Sequence, residues 1–127
     1  MRWFTRRHPG GATSENEAAR HLESIGLRIV ERNAASSLGE IDLVAEDPRD
    51  GTVVFVEVKG RTGNSFGSAL ESVTPKKRRT LAKLAAAYLQ TNRLSGRPVR
   101  FDVVAVETTE GRSALRHIPN AFSLDRI

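Results

Sequence analysis

Two apolar segments with charged residues in their middle constrain this chain more than any other feature. They read GEIDLV at residues 39–44 and VVFVEVK at residues 53–59. Both are rich in residues that favour strands, in which alternate side chains point to opposite faces. The alternation predicts that Asp42 shares one face of the first strand with Glu40, and that Glu57 and Lys59 share one face of the second. Charges inside such strands need compensation.

The stretch between the two segments, DPRDG at residues 47–51, favours a turn. If the strands pair across it, Asp42, Glu57 and Lys59 converge. Two carboxylates and a lysine on neighbouring strands suit one divalent metal ion and one attacking water, which is the chemistry of a nuclease. The alternative is a salt-bridge network on a solvated sheet face.

The spacing of Asp42 from the Glu57-x-Lys59 pair resembles the PD-(D/E)xK nuclease superfamily. The strings GEIDLV and FVEVKGR resemble in particular the bacterial YraN-like family, which is itself similar to archaeal Holliday-junction resolvases. The resemblance spans residues 14–106 and includes RN at 32–33, FG at 66–67 and RFDVV at 100–104. It implies an α/β, restriction-endonuclease-like domain, and it implies the fold more strongly than the activity.

The resemblance also implies roles for individual residues. Asp42 and Glu57 are expected to bind Mg²⁺ or Mn²⁺, with the backbone carbonyl of Val58 as a further ligand. Lys59 is expected to orient or deprotonate the attacking water, or to stabilise the charge that builds on the phosphorus. Glu15, which follows Ser14 where the family pattern has Gly-Glu, is expected to be an accessory acid. Its alternative role is to cap the first helix.

Other candidates rest on weaker patterns. Glu40 is either an acid that supports the metal ligands without binding the metal, or a solvent-facing charge. Arg61 suits a phosphate clamp, although an arginine at a strand end is ordinary. Asp102 is expected to pair with a buried base, and Trp3 and Phe4 to stack on bases.

Positive charge is concentrated in one part of the chain. The formal net charge is +5, whereas residues 73–100 contain eight lysines and arginines and no acid. This segregation favours a polyanionic partner, and the resemblance favours DNA over RNA. The alternatives are a solvated basic helix or a surface for an acidic protein. The expected nucleic-acid contacts are Arg61, Lys76, Lys77, Arg78, Arg79 and Lys83.

Helix and strand signals give the order α-β-β-β-α-β. A capping box at Ser14 begins the first helix, which ends near Gly26, and Pro75 begins the second. The strands are predicted at residues 27–32, 39–46, 52–60 and 99–106, with a short fifth at 113–118. This order predicts one mixed sheet flanked by helices, as a single domain over residues 13–127. Residues 1–12 are predicted to be a flexible basic arm.

Composition narrows the setting. The absence of cysteine excludes disulfides and thiolate zinc sites, and no apolar run has the length of a membrane span. A cytoplasmic location is the default expectation. The sequence therefore predicts an endonuclease acting on DNA, with branched or structured DNA favoured, or a non-catalytic nucleic-acid-binding module of the same fold. Junction resolvases act as dimers, so the resemblance also raises a homodimer.

Overall fold

A six-stranded sheet with one helix on each face makes up the described part of the chain. The computed structural model describes residues 1–8, 12–62 and 71–123. The elements are β1 (Phe4–Thr5), α1 (Ala12–Ser24), β2 (Arg28–Ser36), β3 (Gly39–Glu46), β4 (Val53–Thr62), α2 (Pro75–Thr91), β5 (Val99–Thr109) and β6 (Arg112–Phe122).

The strands lie in the sheet in chain order, β1 to β6. All neighbours are antiparallel except β4 and β5, which are parallel. A parallel pair needs a crossover connection, and α2 lies within it. This architecture confirms the predicted α/β fold with a mixed sheet. No helix in these described ranges is long and apolar enough to cross a membrane.

Each helix covers its own apolar core. The core on the α2 side contains four buried aromatic residues in edge and stacked contacts. Its central members are Phe55, Leu81, Leu84, Tyr88 and Phe101. The core on the α1 side is built from smaller residues, centred on Ala18, Leu22, Leu43, Val56 and Val104. Both faces of the central strands are therefore buried.

The N-terminal segment differs from the expected arm because two of its residues join the sheet. Phe4 pairs with Ala35 of β2 in β1, and the ring of Trp3 meets that of Tyr88 edge-on with centroids 5.4 Å apart. The apolar area of Trp3 explains this attachment. Trp3 is partly buried against the α2-side core, whereas Phe4 stays 48% exposed.

The alternation predicted for β3 breaks at Asp42. Ile41 packs in the α2-side core, but Leu43, two residues later, packs in the α1-side core. Opposite this step on β2, Asn33 has a left-handed φ of 53°. Asparagine tolerates that conformation better than most side chains. The regular alternation predicted for this strand is therefore wrong at Asp42, because this local break overrides the period of two.

The last strand is longer than the short fifth strand predicted. β6 runs from Arg112 to Phe122, and its final ring stacks on Phe101 with centroids 4.8 Å apart. The aromatic contact extends the pairing beyond Ile118, past Pro119.

Candidate active site

Asp42 lies where β3 and β4 stop pairing. The pairing of the two strands ends with Leu43 opposite Val56. Asp42, the residue before Leu43, therefore has no partner on β4 in the sheet. The carboxylate of Asp42 instead accepts a hydrogen bond from the backbone N–H of Val58, at 2.8 Å. The break in the strand therefore turns Asp42 onto β4, at the residue that follows Glu57.

Glu57 is the buried acid of the site. It lies in the middle of β4, on the opposite face from Val56, and is only 6% exposed. Lys59, on the same face two residues later, places its Nζ 3.5 Å from Oε1 of Glu57. This agrees with the alternation predicted for β4, where the strand is regular.

A second lysine contacts the same oxygen. Nζ of Lys77 lies 3.6 Å from Oε1 of Glu57. Lys77 reaches it from the first turn of α2, whose start is fixed by the Thr74 side chain accepting a hydrogen bond from the backbone N–H of Lys77. Sequence reasoning assigned Lys77 to the nucleic-acid surface. Its place on the core-facing side of the helix start was the signal that it enters the site.

The other oxygen of Glu57 has no partner. Oε2 is buried and makes no hydrogen bond to any residue that the structure describes. An unpaired buried carboxylate oxygen is costly unless a cation or a donor satisfies it. Both lysines contact Oε1, so Oε2 is the oxygen that would coordinate a metal ion.

Burial and crowded negative charge raise the pKa of Asp42 to about 7. Burial is the largest cause, followed by repulsion from Glu57, with smaller contributions from Glu40 and Glu15. The Val58 N–H opposes the shift. A bound cation removes this repulsion, since it favours the ionised form of every acid around it.

The described residues fit a divalent ion held by few protein ligands. No three Asp, Glu or His side chains within these ranges are grouped to hold a metal by themselves. Mg²⁺ is commonly bound by one or two carboxylates and several waters. Asp42 and Glu57 match that set, and the carbonyl of Val58 remains a proposed ligand.

Glu15 approaches from the start of α1, where it is 8% exposed. Close packing brings it there, because a Cβ on Gly60 would lie 2.5 Å from Oγ of Ser14. Glu40 is the other nearby acid, and both its oxygens accept from Nε2 of His8, at 2.6 and 2.8 Å. No pattern in the sequence indicated His8, because the pairing of β1 brings it to the site.

The predicted nucleic-acid contacts other than Lys77, which enters the site, separate into three groups. Lys76, Arg79 and Lys83 are exposed on α2. Arg78 is engaged internally, since its Nε donates to the carbonyl of Val73 and its guanidinium lies over the ring of Phe122. The side chain of Arg61 and residues 63–70, which include Phe66 and Gly67, lie outside the described residues.

Asp102 lies apart from these acids, in an internal network. Its buried carboxylate accepts from Nε2 of His117 at 2.7 Å, from the guanidinium of Arg100 and from the backbone N–H of Asn120. Burial opposes ionisation, but the hydrogen bonds outweigh it and hold the pKa below its ordinary value. The expected pairing with a base is therefore present.

Comparison with known proteins identifies the family. The model of the uncharacterised protein family UPF0102 matches residues 14–106. The chain belongs to this family. A UPF0102 protein of Sulfurihydrogenibium sp. is 44% identical over 91% of this chain and 95% of its own length. One from Ectopseudomonas mendocina is 48% identical over 88% and 92%, and one from a Mycobacterium species is 45% identical over 85% and 78%. The YraN-like resemblance is thereby confirmed at the level of the family.

Proposed function

We propose that this member of UPF0102 is a metal-dependent endonuclease that hydrolyses phosphodiester bonds in DNA, with branched or structured DNA as its substrate. The observation that carries the proposal is the buried acid Glu57. It lies between two lysines, beside Asp42, and has one oxygen without a partner among the described residues. Most buried carboxylate oxygens of a purely structural ion-pair network have a hydrogen-bond partner.

The residues divide the reaction between them. Asp42 and Glu57 would hold Mg²⁺ or Mn²⁺, which supplies Lewis-acid activation of the phosphate when bound. Lys59, whose Nζ lies 3.5 Å from Glu57, would orient the attacking water or stabilise charge on the phosphorus. Glu15 is an accessory acid at the edge of the site.

The exposed cations of α2 give the substrate a surface. Lys76, Arg79 and Lys83 have no carboxylate partner in the described chain. Lysine and arginine contacts to phosphate position nucleic acid without reading sequence. The substrate would therefore be selected by its shape.

A non-catalytic nucleic-acid-binding module is the second candidate. It is favoured by the two lysines that already neutralise Oε1 of Glu57 and by the lack of a three-ligand acid group among the described residues. In this case a bound proton, rather than a metal ion, would neutralise Asp42, in keeping with its raised pKa.

Cleavage of a substrate panel separates the two candidates. Blunt duplex, forked duplex, four-way junction, single-stranded DNA and their RNA counterparts are incubated with Mg²⁺, Mn²⁺ or a chelator. Metal-dependent cleavage that Asp42→Ala abolishes and Glu23→Ala retains supports the endonuclease, because Glu23 is an exposed acid of α1 without a role in the site. Binding without cleavage under every condition supports the module. Cleavage that persists in Asp42→Ala points to a contaminating nuclease.

A further inference from the structure

A basic groove opens beside the acidic site. It is formed by residues 5–8, the start of α1 and the middle of β2, and it encloses about 300 Å³. Its lining residues are Thr5, Arg6, Arg7, His8, Glu15, Asn16, Arg32 and Asn33. None of its walls comes from α2, so it is separate from the basic helix surface.

The three arginines of the groove carry charge that no carboxylate of the described chain neutralises. Arg6, Arg7 and Arg32 are exposed and form no ion pair with any described residue. Arg32 is held by a hydrogen bond to the neutral side chain of Asn16. Several arginines elsewhere are paired instead: Arg28 and Arg97 share Glu46, while Arg49 and Arg100 each bind an aspartate.

The groove also contains an amide oxygen without a partner. Oδ1 of Asn33 is buried and unbonded within the described chain. The left-handed backbone at this residue fixes the side chain in the groove wall.

Two contacts join the groove to the candidate active site. Glu15 lines the groove and is also one of the acids that raise the pKa of Asp42. His8 lines it and binds Glu40, another of these acids. A strand that left the candidate active site on this side would therefore enter the groove.

We propose that the groove binds the sugar-phosphate backbone of a single strand that continues from the cleavage site. This inference rests on the proposed endonuclease function and adds a substrate class, a duplex with a single-stranded extension. Guanidinium groups match phosphate oxygens in a bidentate fork. The volume of the groove, about 300 Å³, suits a nucleotide. No aromatic ring other than the His8 imidazole lines the groove among the described residues, so recognition is by phosphate and independent of base.

Binding of matched oligonucleotides in Ca²⁺ tests the groove without requiring turnover. A fluorescent hairpin duplex is compared with the same hairpin carrying a single-stranded extension, first on one strand and then on the other. The Arg6→Gln/Arg7→Gln variant is the test. Arg112→Gln/Arg116→Gln is the matched control, since it removes the same charge from exposed positions of β6 at the opposite edge of the sheet.

We expect wild type to bind one extended hairpin more tightly than the blunt one. The Arg6/Arg7 variant should lose roughly tenfold in affinity for that hairpin and keep its affinity for the blunt form. Its salt slope should also fall by about 0.7 for each phosphate that the variant no longer neutralises. For the β6 variant, any change in affinity relative to wild type should be the same for both hairpins. Methylphosphonate linkages in the extension, which remove the phosphate charge, should weaken binding by wild type but not binding by the Arg6/Arg7 variant.

Equal loss of affinity on blunt and extended hairpins, or no preference for either extension in wild type, overturns the groove assignment. These outcomes are independent of catalysis. Wild type could prefer the extended hairpin, and the variant could lose this preference, while no substrate is cleaved in Mg²⁺. That result would contradict the endonuclease function and support the groove as a binding site.

Discussion

Asp42 owes its chemical character to a single irregular position in the sheet. The step between Ile41 and Leu43 turns its carboxylate onto β4, where Val58 holds it and Glu57 repels it. A regular strand would have left the acid on the face that its alternation predicts. The pKa of about 7 follows from the resulting burial and crowding.

This pKa makes the stability of the metal-free protein depend on pH. The unfolded carboxyl titrates near 3.8 and the folded one near 7, so the folded state binds the extra proton between these values. Stability therefore falls as the pH rises from about 4 to 7, and then levels off. We expect Asp42→Asn to raise the free energy of unfolding at pH 8 by about 1–3 kcal/mol in the presence of a chelator.

Urea denaturation of wild type and Asp42→Asn at several pH values measures this effect. The difference should shrink toward zero as the pH falls to about 4, where wild type is also protonated. Glu23→Gln, which neutralises an exposed acid, should show no such trend. A difference that is constant across this range would mean that Asp42 does not carry the raised pKa.

The two lysines on Glu57 should separate in their effects. Lys59→Met is expected to lower kcat by roughly 10²–10⁴ if Lys59 takes part in proton transfer, while Mg²⁺ still binds. Lys77→Met removes a positive charge that repels a cation bound to the other oxygen of Glu57, so it should strengthen Mg²⁺ binding and lower the rate less than Lys59→Met does. Rate against Mg²⁺ concentration gives both quantities. Loss of Mg²⁺ affinity in either variant would contradict these roles.

Sequence reasoning reached the residues whose strand is regular and failed where the backbone departs from it. The period of two placed Glu57 and Lys59 on one face of β4 correctly, because that strand keeps its pleat. It did not predict the break in alternation at Asp42, because nothing in GEIDLV indicates that Asn33 on the neighbouring strand has a left-handed backbone. Nor could it place His8, which depends on a two-residue strand held by the ring of Trp3.

At the scale of elements, α2 combines two uses of positive charge. Its first turn sends Lys77 into the site, whereas Lys76, Arg79 and Lys83 remain on its exposed side. Leu81, Leu84 and Tyr88 recur at helical spacing in the sequence, and they form the buried face of this helix. The internal bonds of Arg78 were beyond that pattern because Phe122 comes from the far end of the chain.

Reversing the exposed charges of α2 should weaken DNA binding. We expect Lys76→Glu/Arg79→Glu to reduce affinity about equally for any DNA sequence and to flatten the dependence of affinity on salt. Fluorescence anisotropy over a range of salt concentrations measures both. Arg112→Glu/Arg116→Glu on β6 is the control with the same change in net charge. Wild-type affinity with an unchanged slope in the α2 variant would exclude α2 as the binding surface.

At the scale of the whole molecule, metal binding and folding are linked through the acidic site. Its acids come from α1, β3 and β4, so an ion that binds them binds only the folded chain. We expect Mg²⁺ or Mn²⁺ at about 100 times Kd to stabilise the protein by about 2.7 kcal/mol. Thermal melts at increasing metal concentration should show a rising Tm for wild type and for Glu23→Ala, and no rise for Asp42→Ala. A rise of equal size in Asp42→Ala would place the ion elsewhere.

The crossover between β4 and β5 gives the site an order of assembly. Asp42 and Glu57 belong to strands joined by the short connection at residues 47–52, and hairpins form in about 1–10 μs. Lys77 arrives only when the long connection at residues 63–98 closes, and loop closure costs more entropy as length grows. We therefore expect the two acids to meet before the lysine of α2 reaches them. Their repulsion should then slow folding more than it speeds unfolding, so we expect the chain to fold faster at a pH where Asp42 is protonated.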